Sequence, residues 1–245
     1  MAIITYNEEC MIERTLSAIY DIADEIVIVD SFSTDDTMFI IQKFPKVKLL
    51  QREFKSYGNQ KNYTIEQCTK DWILFIDADE TLDLQAVQSV KWIIENKNSN
   101  DAYKIAFKEI FWGKELSFSK YYRIRLFKKN KGKFTDELIH EKVQMESHQK
   151  IGIIPGFIKH DSFRNLDYHI KKINMYSSKM AQKRFERGKK ATVFHIIFSP
   201  IYRFFVFYFF KLSFLDGLGG LYMAASESFY TYLKYMKLYE LQNKK

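Results

Sequence analysis

Short apolar runs alternate with amphipathic stretches over the first 100 residues. The apolar runs, which are typical of buried strands, cover residues 2–5, 25–29, 47–50 and 72–76. The stretches between and after them have helical spacing and cover residues 8–21, 33–44, 59–68 and 84–95. Strands that alternate with helices predict βαβ units. We therefore expect an α/β fold with a mostly parallel, doubly wound sheet.

The alternation of predicted strands and helices ends after residue 100. Two strand-like runs, 102–112 and 121–127, follow each other without a helix between them, which predicts a small antiparallel part. Alternation of Arg123 and Arg125 with apolar residues indicates that the second strand is partly exposed. A further short strand is expected at 151–154, and helices are expected at 166–187, 190–212 and 220–242. These patterns divide the chain into an α/β domain, 1–165, and a helical C-terminal region, 166–245.

Within the helical region, residues 193–215 raise the question of a membrane. A membrane-spanning helix needs about 20 consecutive apolar residues. Here His195, Pro200, Arg203 and Lys211 interrupt the run, and Phe residues surround them. We interpret the segment as an amphipathic helix at a membrane surface, with its cations towards lipid phosphates. A core helix that packs on the rest of the protein remains the alternative.

Composition narrows the classes of partner. The chain of 245 residues has 38 basic and 30 acidic residues, a net charge of +8. Such an excess favours an anionic partner, either a membrane surface, a nucleic acid or an anionic substrate. Cys10 and Cys68 are isolated, which argues against a disulfide framework and a cysteine zinc site. The first residues lack the pattern of a signal peptide, so we expect a cytoplasmic location.

The stretch DWILFIDADE places three carboxylates directly after a predicted strand. Asp77, Asp79 and Glu80 stand within four positions. Carboxylates this close repel one another unless a cation neutralises them, and divalent cations of the Mg²⁺ type prefer oxygen ligands. In open α/β sheets, ligands bind beyond the carboxyl ends of the strands. The stretch therefore predicts a metal-assisted site for a phosphorylated substrate, although such residues also cap helices.

Polar loops follow the other predicted parallel strands at the same edge. The loop Thr5–Tyr6–Asn7–Glu8–Glu9 follows the first strand, Asp30 ends the second, and the polar stretch 52–62 follows the third. A nucleotide can lie across these loops. Backbone around Thr5 would line the base, and Asp30 would accept a hydrogen bond from the base or the ribose.

In this order and spacing, four motifs resemble the nucleotide-sugar half of the family 2 glycosyltransferases with the GT-A fold. These motifs are IITYNEE, VDSFSTDDT, YGNQKNYTI and DWILFIDADE. Three later segments, YYRIRLFKK, LIHEKV and GFIKHDSF, resemble the bacterial lipopolysaccharide-core branch that includes β-1,4-glucosyltransferases. The resemblance covers residues 2–165 well and continues more loosely through the helical region.

The resemblance implies an inverting hexosyltransferase that uses a nucleoside-diphosphate sugar, with a UDP-sugar expected. It implies that Mg²⁺ or Mn²⁺ bridges Asp79 and the diphosphate, with Asp77 near the ribose or the metal-bound water. Independently of the resemblance, His160 follows a predicted strand and is a candidate metal ligand, because imidazole suits Mn²⁺, although a lone histidine is more often structural. Glu141 is the candidate base, ahead of Asp136 and Glu137. The remaining candidates for donor binding are Thr5, Asn7, Glu8, Asp30, Asn59 and Lys61.

The implied acceptor is a lipopolysaccharide-core or other lipid-linked glycan at the cytoplasmic face of the inner membrane. Lys61 and Arg52 are candidates to neutralise the diphosphate, and Asn59, Gln60 and Asn62 either bind sugar hydroxyls or cap a helix. Two other functions stay open. One is a nucleotidyltransferase, although TYNEE stands where a glycine-rich loop is expected. The other is a non-enzymatic basic protein that binds membrane or nucleic acid, although no nucleic-acid motif supports it.

Overall fold

The computed structural model describes residues 1–96, 100–117, 120–136, 141–161, 163 and 165–244. The chain forms two compact units. The first unit comprises Met1–Lys108 together with Lys120–His160, and the second comprises Glu109–Ser119 together with Asp161–Lys245. The chain therefore passes between the units three times.

The first unit begins with three parallel strands, β1 (Ala2–Thr5), β2 (Ile26–Asp30) and β3 (Val47–Gln51). They lie in the order β1–β2–β3. Every residue of β2 is buried, because strands and helices enclose it on all sides. This explains the uninterrupted run IVIV in the sequence. The predicted parallel sheet is confirmed here.

Eight further strands follow: β4 (Trp72–Leu74), β5 (Glu80–Leu82), β6 (Ala102–Phe111), β7 (Lys114–Glu115), β8 (Tyr121–Lys128), β9 (Gly132–Phe134), β10 (Val143–Met145) and β11 (Ile151–His160). Five of them form a sheet in the order β4–β8–β6–β11–β5, with β7 paired to β6. A parallel bridge between Ala2 and Phe75 joins this sheet to β1. The antiparallel part is thus larger than the sequence predicted.

Four helices belong to the first unit: α1 (Ile12–Ile19), α2 (Thr37–Ile41), α3 (Tyr57–Gln67) and α4 (Leu84–Glu95). Ser56 caps α3 and Asp83 caps α4, each through a side chain that accepts a backbone N–H. The prediction that a helix begins after Ser33 is wrong, because the helix starts at Thr37. The Ser33 backbone N–H instead donates to Asp30 Oδ2 at 2.8 Å.

Two strand predictions also need correction. The last strand, expected at 151–154, continues to His160. In β8 only the first residues are exposed, and Arg125, Leu126 and Phe127 are buried. The alternation of arginine and apolar residues therefore marks exposure only at Arg123, not at Arg125.

The second unit contains the end of β6, the short strand β7 and three helices. The turn of the β6–β7 hairpin, Trp112–Gly113, has positive φ at both positions. The helices are α5 (Leu166–Glu186), α6 (Val193–Phe205) and α7 (Gly217–Asn243), and a π-helical turn, Val206–Phe210, continues α6. A cluster of Phe111, Leu116 and Phe163 with Tyr222 and Met223 packs the hairpin against the start of α7.

Helix α7 packs against both α5 and α6. Arg203 on α6 forms an ion pair with Glu227 on α7, with Nη2 2.8 Å from Oε2. Among the described residues, one helical segment, Val193–Phe210, is long and apolar enough by length and composition to cross a membrane. Its 18 residues have a mean hydropathy of 1.6, and only 11% of the segment is buried in the protein.

Candidate functional site

The carboxyl ends of the three parallel strands form one edge of the first unit. Thr5 pairs with Asp30, and Asp30 pairs with Gln51, so the three strands end at one level. Two hydrogen bonds continue this alignment beyond the strands. Ser31 N–H donates to Thr5 O, and Arg52 N–H donates to Asp30 O, each at 2.9 Å. The loops predicted to share an edge therefore do so.

The loops after β1 and β2 are held together by side chains. Asn7 N–H donates to Ser33 Oγ at 2.9 Å, and Asn7 Oδ1 accepts from Thr34 N–H at 2.8 Å. Glu8 N–H donates to Thr37 Oγ1 at 2.7 Å. Asn7 and Glu8, both expected to bind the donor, thus fix the shape of this edge through these bonds.

Asp30 is completely buried at the end of β2. Its carboxylate accepts hydrogen bonds from both the backbone and the hydroxyl of Ser33, and Gln51 Nε2 lies 3.4 Å away. These hydrogen bonds fix the position of the Asp30 carboxylate at the edge.

Three buried oxygen atoms near this edge have no hydrogen-bond partner within the described part of the chain. They are Thr5 Oγ1, Asn59 Oδ1 and Gln60 Oε1. Thr5 ends β1, and the other two lie in the first turn of α3. An unpaired buried polar atom is costly, and native proteins keep few of them without a ligand or water. These atoms therefore offer hydrogen-bond acceptors to water or to a ligand with hydroxyl or N–H donors.

Lys61 is the centre of the carboxylate cluster after β4. Its ammonium nitrogen lies 2.9 Å from Asp77 Oδ1 and 2.8 Å from Glu141 Oε1. Lys61 is 4% exposed, whereas the side chains of Asp77 and Glu141 are 27% and 13% exposed, so the ammonium group is buried and the carboxylates are partly accessible. The structure thus brings Asp77 and Glu141, which are 64 positions apart in sequence, onto one cation.

Arg125 is the second cation of the cluster. Its Nη2 lies 2.8 Å from Asp77 Oδ2 and 2.5 Å from Glu80 Oε1. Glu80 Oε2 also accepts the backbone N–H of Asp77 at 3.0 Å. Arg125 and Glu80 are both buried, so each charge depends on the other.

These contacts change the acid–base properties of the cluster. Burial opposes ionisation of Asp77, but Lys61 and Arg125 outweigh it and hold the pKa of Asp77 well below its usual value. Burial raises the pKa of Glu80 to about 7, and Arg125 opposes that rise. Burial lowers the pKa of Lys61, but Asp77 and Glu141 outweigh it, so the net pKa is raised. Asp77 and Lys61 are therefore both charged at neutral pH.

Asp79 and His160 lie side by side next to this cluster. His160 Nε2 is 3.3 Å from Asp79 Oδ2, and both side chains are only partly exposed. The antiparallel pairing of β5 and β11 brings them together, because it aligns Glu80 with His160. Across the described residues, no group of three or more His, Cys, Asp or Glu side chains is arranged to hold a metal.

A carboxylate and an imidazole fit a divalent ion that takes its remaining ligands from a diphosphate and water. Mg²⁺ is commonly bound by one or two carboxylates plus substrate phosphates, and imidazole is also a ligand of transition metals. Asp79 and His160 would hold such an ion in this chain.

The other sequence candidates are distributed as follows. Glu137 and His140 lie outside the described residues. Asp136 accepts a hydrogen bond from the Ser56 hydroxyl. Arg52 Nη1 donates to Asn59 O at 3.3 Å, and its guanidinium lies over the ring of Tyr63. Asn62 exchanges two hydrogen bonds with the backbone of Phe134, so it joins α3 to β9.

Sequence reasoning missed Arg125. The apolar neighbours Ile124 and Leu126 suggested a half-exposed strand, whereas the centre of β8 is covered on both faces. A partial signal was present, since three carboxylates within four residues require cations, and an arginine between the apolar residues Ile124 and Leu126 is a candidate to supply one.

Comparison with known proteins identifies glycosyltransferases as relatives of this chain. The family described as Glycosyl transferase family 2 matches residues 1–144. A glycosyltransferase of Rickettsia typhi, described as uncharacterized, is 30% identical over 99% of this chain and 87% of its own length. The lipopolysaccharide core biosynthesis glycosyltransferase LpsC of Rhizobium meliloti is 28% identical over 97% of this chain and 90% of its own length.

Two solved structures have a similar fold. The mannosyltransferase PcManGT from Pyrobaculum calidifontis, solved with GDP-Man and Mn²⁺, has a TM-score of 0.55 at 17% identity. The match covers 99% of this chain and 86% of that one. S. aureus TarS 1–349, solved with UDP, has a TM-score of 0.50 at 15% identity, with 99% and 91% covered.

Proposed function

The chain belongs to glycosyltransferase family 2, and from this premise we propose that it transfers a hexose from a nucleoside-diphosphate sugar to a glycan acceptor, with metal assistance and inversion at the sugar carbon. Its fold is GT-A, as the resemblance predicted. We propose UDP as the nucleotide carrier. The acceptor we propose is a lipopolysaccharide-core or other lipid-linked glycan, in keeping with the likeness to LpsC.

One observation carries this proposal. Lys61 forms ion pairs with both Glu141 and Asp77, and Asp77 stands two residues before Asp79, whose carboxylate lies beside His160. A candidate base and a candidate metal pair therefore belong to one cluster at the end of β4. The unpaired oxygens of Thr5, Asn59 and Gln60 supply acceptors for the hydroxyls and N–H groups of a nucleotide. The bound ligands of PcManGT and TarS agree with a nucleotide-sugar donor.

In the proposed reaction, Glu141 accepts the proton of the acceptor hydroxyl while that oxygen forms a bond to the anomeric carbon. The bond from the anomeric carbon to the phosphate oxygen breaks, and its electron pair stays on the departing nucleoside diphosphate. A divalent ion, when bound, would stabilise the negative charge on that leaving group. Lys61 holds Glu141 in place, and Glu141 is 13% exposed, so access of water to the carboxylate is limited.

The first test measures release of the nucleotide, UDP, GDP or CMP, from UDP-, GDP- and CMP-linked sugars with and without Mn²⁺, using a lipopolysaccharide-core acceptor. We expect Asp79→Ala to abolish metal-dependent nucleotide binding and turnover. Asp71→Ala, an exposed carboxylate just before β4, is the matched control and should behave like the wild type. Retained activity in Asp79→Ala would remove this residue from the metal role. In a parallel assay with a nucleoside triphosphate and a sugar phosphate, pyrophosphate release would favour a nucleotidyltransferase instead.

The second test separates binding from chemistry. Glu141→Gln preserves the size of the side chain but cannot accept the proton, so donor affinity should persist while the transfer rate falls at least 100-fold, the lower end of what general base catalysis contributes. Asp136→Asn is the comparison. A larger loss in Asp136→Asn than in Glu141→Gln would transfer the role of base to Asp136.

We also propose that the protein associates peripherally with the cytoplasmic face of the inner membrane through the α6 segment. Residues 187–215 contain no acidic residue and five cations. Those cations are Arg187, Lys189, Lys190, Arg203 and Lys211. The segment Val193–Phe210 is mostly exposed, with Phe210 82% exposed. An apolar surface with basic flanks matches the interface of an anionic bilayer.

A further inference from the structure

Phe32 has an unusual backbone for a bulky residue. It stands two residues after Asp30, with φ of 60°, in the left-handed region that favours glycine. Its side chain is 50% exposed, so burial of the ring does not account for the strain. Strained conformations persist when the surroundings fix them, and they cluster at ligand sites. A functional role would account for the strained backbone of Phe32.

The residues on both sides of Phe32 are fixed. Ser31 N–H donates to Thr5 O at 2.9 Å, and Ser31 Oγ accepts from Gln60 Nε2 at 3.1 Å. On the other side, Ser33 is bonded to Asp30 and to the backbone of Asn7. Hydrogen bonds on both sides thus hold the backbone of Phe32 at the edge formed by β1 and β2, and its ring is half exposed.

Two residues that form hydrogen bonds with Ser31, namely Gln60 and Thr5, also carry unpaired oxygens. Gln60 donates its amide to Ser31 and is completely buried, yet its Oε1 has no partner in the described chain. Thr5, whose carbonyl accepts from Ser31, likewise has an unpaired Oγ1. Phe32 thus follows Ser31, the residue that binds both Thr5 and Gln60, and a half-exposed ring on the same loop as two hydrogen-bond acceptors is complementary to a ligand with a flat π-face and polar edges.

We infer that Phe32 forms one wall of the subsite for the nucleobase of the donor and helps to determine which nucleotide binds. This inference rests on the proposed function, because it assumes a nucleoside-diphosphate donor. Stacking on an aromatic side chain contributes through the face of the base, whereas the diphosphate is bound elsewhere by charge. Loss of the ring should therefore weaken binding of nucleotides but leave binding of the diphosphate group alone unchanged.

Titration calorimetry with Mn²⁺ tests this inference. UDP, GDP and CDP are compared, and pyrophosphate serves as a probe without a base. Phe32→Gly removes the ring and suits the left-handed backbone, so the unliganded protein should melt at the same or a higher temperature. Its Kd for the preferred nucleoside diphosphate should rise at least fivefold, while its Kd for pyrophosphate stays within twofold of the wild type.

Two further variants make the test specific. Phe32→Leu keeps an apolar side chain without a flat ring, so it should lose affinity as Phe32→Gly does, whereas Phe32→Trp should retain it. Phe39→Ala, an exposed ring on α2, is the matched control and should bind like the wild type. Unchanged nucleotide affinity in Phe32→Gly and Phe32→Leu would overturn the inference. A wild-type protein that binds no nucleoside diphosphate would instead overturn the proposed function.

Discussion

Within the described part of the chain, Lys61 and Arg125 each contact two carboxylates of the cluster after β4. Lys61 bridges Asp77 and Glu141, and Arg125 bridges Asp77 and Glu80. Removing one member of a buried ion pair leaves an uncompensated charge, which costs more than the pair itself contributes. Asp77, which contacts both cations, is therefore the most strongly held carboxylate of the group.

At this scale we predict that Arg125→Met destabilises the fold by about 3 kcal/mol, the lower end of the range for a broken buried pair, because Lys61 still neutralises Asp77. Urea unfolding measures the change. Arg123→Met, on the same strand but exposed, is the control and should change stability by less than about 0.5 kcal/mol. Equal midpoints for the two variants would show that Arg125 is not needed to compensate Asp77 and Glu80.

Individual residues were predictable where their spacing was unusual. Three carboxylates in four positions pointed to a charged site, and the structure places Asp77 beside two cations. The need for cations was predictable, but the pairing of particular cations with particular carboxylates was not, because Lys61 and Arg125 come from α3 and β8, and only tertiary packing brings these elements together. The alternation of arginine and apolar residues in β8 also led to a wrong prediction. A strand that is covered on both faces does not alternate between exposed and buried residues.

Among the elements, α3 is the one whose position the site depends on most, because it carries Asn59, Gln60 and Lys61. The helix fits closely against the segment after β9 at Gly58. A Cβ atom added at Gly58 would lie 2.1 Å from the carbonyl oxygen of Thr135. That oxygen belongs to the backbone, so the contact can be relieved only by moving the helix or the segment.

We therefore predict that Gly58→Ala destabilises the fold by about 1–3 kcal/mol, the usual cost of overpacking. Alanine is the better helix former by at most about 1 kcal/mol, so the steric cost decides the sign. Transfer activity should fall as well, since the shift displaces Lys61. Thermal unfolding and activity are compared with those of Glu66→Ala, an exposed position on the same helix. A stabilised Gly58→Ala variant would contradict the close fit.

A second prediction at this scale concerns Lys234 on α7. Burial, together with the charges of Arg184 and Arg203, lowers the pKa of Lys234 to about 8 against the opposing effect of Glu227. In the unfolded chain this lysine titrates near 10.5. Between these values the unfolded state binds more protons, so the free energy of unfolding contributed by this group rises with pH.

Lys234→Met should therefore be more stable than the wild type at pH 7, and this advantage should shrink between about pH 8 and pH 10.5. Melting temperatures of both proteins across that interval measure the effect. Lys244→Met, which removes an exposed cation from the end of the chain, should show no such convergence. A constant difference between wild type and Lys234→Met at every pH would rule out the titration of Lys234.

The elements themselves were largely predictable, because apolar periodicity determines which face is buried. Helix α4 was expected at 84–95 and lies at Leu84–Glu95. The predicted start of α2 was wrong for a local reason. Ser33 has the chemistry of an N-cap, but the carboxylate of Asp30 takes both its N–H and its hydroxyl, and the helix begins four residues later.

For the molecule as a whole, charge and exposed apolar surface lead to a prediction about membranes. Vesicles that contain phosphatidylglycerol should bind the protein at 0.05 M salt and lose much of it at 0.5 M salt, because screening weakens the attraction of the basic segment. Vesicles of phosphatidylcholine alone should bind it less. Co-sedimentation measures the bound fraction.

The apolar part of that surface is tested separately. Phe210→Ser should weaken vesicle binding about 10-fold, since burying a phenylalanine contributes about 1.5–3 kcal/mol. Phe39→Ser changes a ring of similar exposure in the first unit and is the control. Equal losses in the two variants would mean that the segment Val193–Phe210 has no special part in the interaction.

The general architecture followed from the sequence, but the division into units did not. A helical region from residue 166 was expected, whereas the second unit also takes in Glu109–Ser119. The sequence of this hairpin does not show that it belongs to the second unit, because strand β6 continues across the boundary without a change in its pattern. Only the contacts of Phe111 and Leu116 with Phe163 and Tyr222 reveal it.

The three passages of the chain between the units have a consequence for engineering. A truncation after His160 would keep the hairpin but discard Phe163 and Tyr222, which cover its apolar face. Phe111 and Leu116 would then become exposed, and the shortened protein should be prone to aggregation. Neither unit can be excised with a single cut, so a minimal version of the first unit requires a short polar linker in place of residues 109–119 as well as the loss of the C-terminal helices.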